Sequence, residues 1–327
     1  MTQPQTDLIQ RPARFQAFTL QSILSVLTLC FALFALASGS IFMTIARQDM
    51  SANQVAFYRV AIAAIVFASW NSIRVVAPKK EPESDQIRGR EIGLLIAAGA
   101  SFAGFIVSLA WALAHTQVAT ATLLTHMMPI FTTLGAWLFL KQQFSSQFWI
   151  GLVVALSGAV AIGAGDFSLS NATIWGDAAA LLAAVLIAIE MLIVEQLRTR
   201  LTTPTVAMIE AAIASVLIFP AILLSGSAIL PPSWQSGAAV IAAALITQVA
   251  GHGLLTYSLK KFSAGLVSVA LLAVPIIAAG LALVLFGQTI AIGSAIAFVV
   301  VLGGIYLTVT APKFGNHEPF AQSTFAE

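Results

Sequence analysis

The sequence runs to 327 residues, 59% of them hydrophobic and 9% charged, with a mean hydropathy of +0.95. Soluble domains carry about 25% charged residues, so a water-soluble globular protein is excluded and an integral membrane protein is implied. The net charge of +2 comes from basic residues scattered over short segments, which excludes the concentrated basic face of a nucleic-acid partner. The single cysteine, Cys30, excludes a disulfide framework, paired thiols and any metal-ligand spacing built on them.

Apolar runs of about 20 residues, the length a helix needs to cross ~30 Å of hydrocarbon, follow one another at 21–45, 54–76, 91–113, 117–140, 147–165, 177–197, 204–225, 236–258, 263–286 and 289–311. The first passes through Ala35-Leu36-Ala37, which imitates a signal-peptide cleavage site. It exceeds the roughly 7–15 residues of a signal peptide's apolar core, so this helix is expected to stay. The fourth and ninth runs carry Pro129 and Pro275 near their centres. Each proline removes a backbone hydrogen bond and kinks its helix. At membrane depth such a break persists only when buried or facing water, so the pair reads either as hinges lining a cavity or as static kinks that shape the bundle. Gly151, Ala155 and Gly158 in the fifth run, and Gly293, Ala297 and Gly304 in the tenth, make small-residue faces suited to close helix packing, including that of a homodimer. The expected fold is all-α, about ten transmembrane helices.

With the N-terminus inside, the cytoplasmic segments collect Arg11, Arg14, Arg74, Lys79, Lys80, Arg88, Arg90, Lys141, Arg198, Arg200, Lys260, Lys261 and Lys313, while Arg47 alone falls outside. Basic residues of short loops stay cytoplasmic. Both termini are therefore expected in the cytoplasm, and the location is a cell (inner) membrane.

Sliding the second half by 146 positions lays Met127–Gln143 on Ala273–Thr289, with Pro129 on Pro275, Gln142 on Gln288 and Gly158 on Gly304. Five further positions of offset align Asn53–Ala64 with Pro204–Ser215 and Arg47 with Arg198. Each unit then holds five spans, and an odd number forces the two units into opposite orientations, the inverted-repeat plan of secondary transporters. The units are placed at 1–165 and 166–327.

Two units, each with a proline in the fourth helix, a short polar turn and spaced glycines beyond it, resemble tandem EamA domains of the drug/metabolite transporter superfamily. Trp175-Gly176-Asp177 opening the second unit, and Arg59 early in the second helix, are similar to that family's pattern. The resemblance implies transport of a small organic solute such as an amino acid, a metabolite or a drug-like compound. Where the family commonly has a glutamate after the fourth and ninth helices, this chain has Gln142 and Gln288.

The polar residues inside the runs are the candidate site. A carboxylate at mid-bilayer costs about 2.5–3.5 kcal/mol on insertion scales, so Glu190 and Glu210 must face protein or water. Gly176, Ala179 and Ala183 lie within about 40° of Glu190 around the helix, and Ala207 and Ala214 flank Glu210. Arg59 occupies the place of Glu210 in the first unit, yet the two lie roughly 12 Å apart in depth. Glu190, Glu210 and His252 share one depth and are expected to cluster. His252 falls in a series with Gln248 and Thr256, and His126 in one with Thr122 and Thr133, as on a wetted cavity wall; a hydrogen-bonded structural histidine is the other reading. Tyr58 and Phe57 beside Arg59 suit a cradle for an amino acid. Glu195 reads as an end-of-helix pair with Arg198. Most tryptophans lie near segment ends, as an interfacial belt does.

Several function classes recede. The hydrophilic segment 77–90 lacks a Gly-rich phosphate loop, no cofactor motif is present, and the four histidines are too scattered for a catalytic centre. No filter-like loop marks a channel. What remains is a secondary transporter, expected to export its solute by alternating access with protons as candidate partners through Glu190 or Glu210. An uptake permease of the same fold, or a membrane scaffold or enzyme, stays as the alternative.

Overall fold

The computed structural model describes residues 20–76, 87–164, 174–224, 230–287 and 291–312. Both termini, Lys79, Lys80, Gln288 and the expected unit boundary at 165 lie outside the described residues. The described chain is all-helical. We number its spans α1 (Leu20–Ala46), α2 (Ala52–Val76), α3 (Gly89–His115), α4 (Val118–Thr125 and Met128–Phe139), α5 (Ser146–Ala164), α6 (Ile174–Leu197), α7 (Thr203–Leu224), α8 (Trp234–Ser258), α9 (Ala264–Phe286) and α10 (Ile292–Val309). Nine are long and apolar enough to cross a membrane, and the apolar stretch of α5 is shorter. Helices satisfy their own backbone polar groups, as a chain surrounded by hydrocarbon must.

The packing repeats itself between the halves. From the first half, α3 packs on α6 and α7 of the second, and α4 on α6; the counterparts α8 on α1, α8 on α2, and α9 on α1 are all present. The remaining extensive pairs, α2 with α7, α5 with α10, and α4 with α9, join each helix to its own counterpart. A contact map that returns to itself when the halves are exchanged is what a pseudo-twofold axis produces. The sequence copies its caps in the same way. Ser51 and Gln54 form a reciprocal cap at the start of α2, and 151 positions on, Thr202 and Thr205 join hydroxyls at the start of α7.

Ties at the two ends of the bundle obey the same exchange. Asp49, in the α1–α2 turn, accepts a hydrogen bond from Ser233 at the start of α8. Its counterpart Arg200, in the α6–α7 turn, pairs with Glu91 at the start of α3 at 3.2 Å.

The helices approach most closely where side chains vanish. A Cβ on Gly304 would stand 2.2 Å from the backbone nitrogen of Ala155, one on Gly151 2.8 Å from the carbonyl oxygen of Gly304, and one on Gly158 2.8 Å from the nitrogen of Val301. These three glycines bring α5 and α10 into backbone contact within one chain. Gly293, expected on the same face, meets nothing within 4 Å. Gly176 works similarly at the start of α6: a Cβ there would lie 2.8 Å from the backbone of His115, and the neighbouring Asp177 accepts a hydrogen bond from Thr116 at 2.7 Å. Trp175-Gly176-Asp177 thus fastens α6 to the end of α3.

Three spans depart from a regular α-helix. Pro129 has no N–H and its ring collides with the carbonyl four residues back, and α4 accordingly breaks at His126-Met127 and restarts at Met128. In α9 the same cause produces a 3-10 turn at Leu271–Ala273 just ahead of Pro275. The centre of α8, Ala243–His252, is a π-helix, for which no residue pattern gave warning.

Candidate functional site

A cavity of about 450 Å³ opens between the halves. It runs inward from the end of the bundle that carries Arg47 and the α1–α2 turn, the face the charge pattern places outside. Its walls come from α1, α2, α3, α6, α8 and the broken parts of α4 and α9. Both proline breaks sit on this wall, through Thr125, His126 and Met128 on one side and Leu271, Leu272 and Val274 on the other. Irregular backbone at membrane depth is therefore found where it lines a cavity, as hydrogen-bond accounting requires.

Below the cavity, toward the opposite face, Leu95, Leu197, Leu201, Val206, Leu259 and Val267 belong to one buried apolar cluster. They come from α3, the α6–α7 segment and the α8–α9 segment, and they close that end.

The cavity floor carries the polar chemistry. His252 lines it, stacks on Phe102 with ring centroids 4.7 Å apart, and places Nε2 3.1 Å from Oε1 of Glu210 and 3.8 Å from Oε1 of Glu190. Donor atoms of all three residues lie within 4.8 Å of one another. Glu190 and Glu210 are each 1% exposed, and each has one carboxylate oxygen without a hydrogen-bond partner. Neither lines the cavity; α6 and α7 hold them behind the imidazole. The cluster expected from depth alone is thus present as a contact. The set of two carboxylates and an imidazole is also one that a small divalent cation accepts.

Arg59 lies elsewhere on the wall, with Ala56 one turn before it. Its Nη1 approaches Sδ of Met43 at 3.7 Å, and its Nε has no partner. No ion pair joins it to Glu210, whose partner is His252. Tyr58 and Phe57 are not among the residues lining the cavity: Tyr58 packs on the cluster around Met50, and Phe57 packs on Phe219.

The histidine series resolve differently from an ideal α-helix. In a π-helix residues five apart lie over one another, so Thr247 joins Gln248 and His252 on the wall, whereas Thr256 is buried away from it. His126 faces the cavity with Nδ1 2.7 Å from the carbonyl oxygen of Thr122, but the break in α4 leaves Thr133 buried off the wall.

Glu195 has a role that the reading of an end-of-helix pair did not contain. One of its oxygens accepts from Nε2 of Gln142 at 2.8 Å and the other from the backbone N–H of Ala264 at 2.9 Å. It ties the end of α6 to the turn after α4 and to the first turn of α9. A glutamate at position 142 would set a second carboxylate against it, so the glutamine suits this chain.

Sequence reasoning also passed over Met43, Phe102, Phe105 and Met191, all on the wall. Apolar residues in a transmembrane helix carry no contrast with their neighbours. For Phe102, Phe105, Ile106 and Leu109, the helical spacing along α3 was the available signal.

Comparison with known proteins agrees with this architecture. The pseudopaline exporter CntI of Pseudomonas aeruginosa, found in two strains, is 25% identical over 225 residues, 68% of this chain and 74% of that protein. A solved crystal structure superposes with a TM-score of 0.75 over 89% of this chain and 99% of its own, at 16% identity, a likeness of fold. The model of the EamA-like transporter family matches twice, over residues 23–164 and 174–310. The chain is a multi-pass membrane protein and belongs to the EamA-like transporter family, within the drug/metabolite transporter superfamily.

Proposed function

We propose that this protein is a proton-coupled secondary transporter that exports a small organic solute by alternating access, and that the structure represents its outward-open state. The observation that carries the reading is the buried carboxylate pair in contact with His252, which lines the cavity. With both acids ionised and the imidazole neutral, the cluster holds two negative charges in a dry site. Each proton taken up removes one of them, so the cluster's charge depends on whether the cavity is open to protons. A solute bound against His252 and Phe102 feels that change directly, which is the linkage a coupled carrier needs.

The pseudo-twofold axis supplies the second state. Exchanging the conformations of the halves opens the end now closed by Leu95, Leu197 and Val206 and seals the end now open at Arg47. Similarity to a protein named as an exporter supports the outward direction.

The test compares organic solutes inside and outside cells producing the native chain, Glu190→Gln or Glu210→Gln. The native chain is expected to deplete one or a few solutes inside and enrich them outside. Each variant should lose the dependence of that flux on an imposed pH gradient. Identical solute distributions in all three strains would overturn the proposal.

A further inference from the structure

Among the described residues, the cavity wall carries two guanidinium groups, Arg47 and Arg59, and no carboxylate. Arg47 stands exposed at the mouth; Arg59 is half-buried deeper in. The polar environment of Arg59 is poor for an arginine inside a membrane. Its Nη1 has a thioether, a weak acceptor, at 3.7 Å, its Nε has nothing, and no described carboxylate forms an ion pair with it. A guanidinium carries five N–H donors in a planar fork, and a fixed charge at this depth calls for a counter-charge or water. The rest of the wall beside it is apolar and aromatic, with Phe102, Phe105 and Ile106 facing the same space.

We infer that the cavity takes an organic anion, a carboxylate on an apolar body, whose charged head pairs with Arg59 while the body lies against Phe102 and Phe105. Arg59 is then the residue that sets substrate class. This rests on the proposal above that the cavity is the solute site, and it narrows that solute. A net cation meets two arginines and no acid. An α-amino acid brings an ammonium for which the described wall offers no carboxylate, so it ranks between the two. The buried acids do not serve this purpose, because His252 stands between them and the cavity.

The experiment uses the full chain, purified in detergent, with three probes sharing one ring: 3-phenylpropionate, phenylalanine and 2-phenylethylamine. Binding is read by calorimetry and by the rise in unfolding temperature, without a gradient. Phenylpropionate is expected to bind at least about tenfold more tightly than phenylethylamine, the scale of one charge-assisted hydrogen bond, with phenylalanine between. Arg59→Gln should erase that preference. Arg59→Lys, which keeps the charge and loses the fork, should reduce it several-fold and serves where the glutamine variant does not fold. The inference fails if the amine binds as tightly as the acid, if no probe binds, or if Arg59→Lys and a folded Arg59→Gln both keep the native ranking. Binding with this ranking but without pH-dependent flux would instead sink proton-coupled export and leave the anion site standing.

Discussion

Gly303 and Gly304 are neighbours in α10, and replacing each by alanine should move stability in opposite directions. A Cβ at position 304 would meet the nitrogen, Cα and Cβ of Ala155 at 2.2, 2.6 and 2.7 Å, whereas one at position 303 meets nothing within 4 Å. Ordinary contact begins at 3.4 Å, so Gly304→Ala must push α10 from α5 by about 1 Å. That shift also loosens the contacts of Gly151 and Gly158 along the same line. Overpacking of this kind costs about 1–3 kcal/mol, with the upper part expected because close packing is what joins helices in lipid. Gly303→Ala gains about 0.5–1 kcal/mol from helix propensity alone. The two variants should therefore differ by about 2–4 kcal/mol, or several degrees of unfolding temperature, measured on purified protein by tryptophan fluorescence or aggregation-linked size exclusion. Equal unfolding temperatures, or a more stable Gly304→Ala, would refute the packing of α5 on α10 and with it the pairing of each half's fifth helix.

Glu195→Ala should destabilise the chain by about 2–4 kcal/mol, since it strands the N–H of Ala264 and the amide of Gln142; thermal unfolding checks this. Gln142→Glu should also destabilise by placing two carboxylates together, and Glu195→Gln should rescue it, a coupling that a double-mutant cycle reads directly. Pro129→Ala restores an N–H and removes the clash in α4, so the folded yield should hold while solute flux falls, as cavity-lining residues move with the helix; unchanged flux would assign the break to shape alone.

What could be read from the sequence is what stands out against an apolar background. Prolines, glycines and charges stand out in such a chain, so Pro129 with Pro275, Gly158 with Gly304, and the three polar residues at one depth carried enough contrast to place the repeats, the breaks and the cluster around His252. Residues whose role depends on phase around a helix were harder. The π-helix of α8 shifts the facing set by about one residue and replaces Thr256 with Thr247 on the wall. Tyr58 sits one position before Arg59, and about 100° of rotation is enough to turn it out of the cavity. The ties of Glu195 to Gln142 and Ala264 could not be read from the sequence because both partners are distant in the chain.

The two halves differ most informatively where they should be alike. Arg59 on α2 and Glu210 on α7 occupy matched positions on helices that pack together, yet one is a cation on the cavity wall and the other an acid sealed behind an imidazole. Neither charge serves the fold cheaply, because an ion at membrane depth is costly wherever it points. A repeat maintained for packing alone would keep small or apolar residues at both places, as it does at Ala56 with Ala207 and Ala63 with Ala214. Under the proposed alternating access, exchange of the halves would bring the place of Glu210 toward a cavity on the inner side as Arg59 is withdrawn from the outer one. On that proposal symmetry supplies the two states, and the broken pair of Arg59 and Glu210 is what makes them chemically unlike.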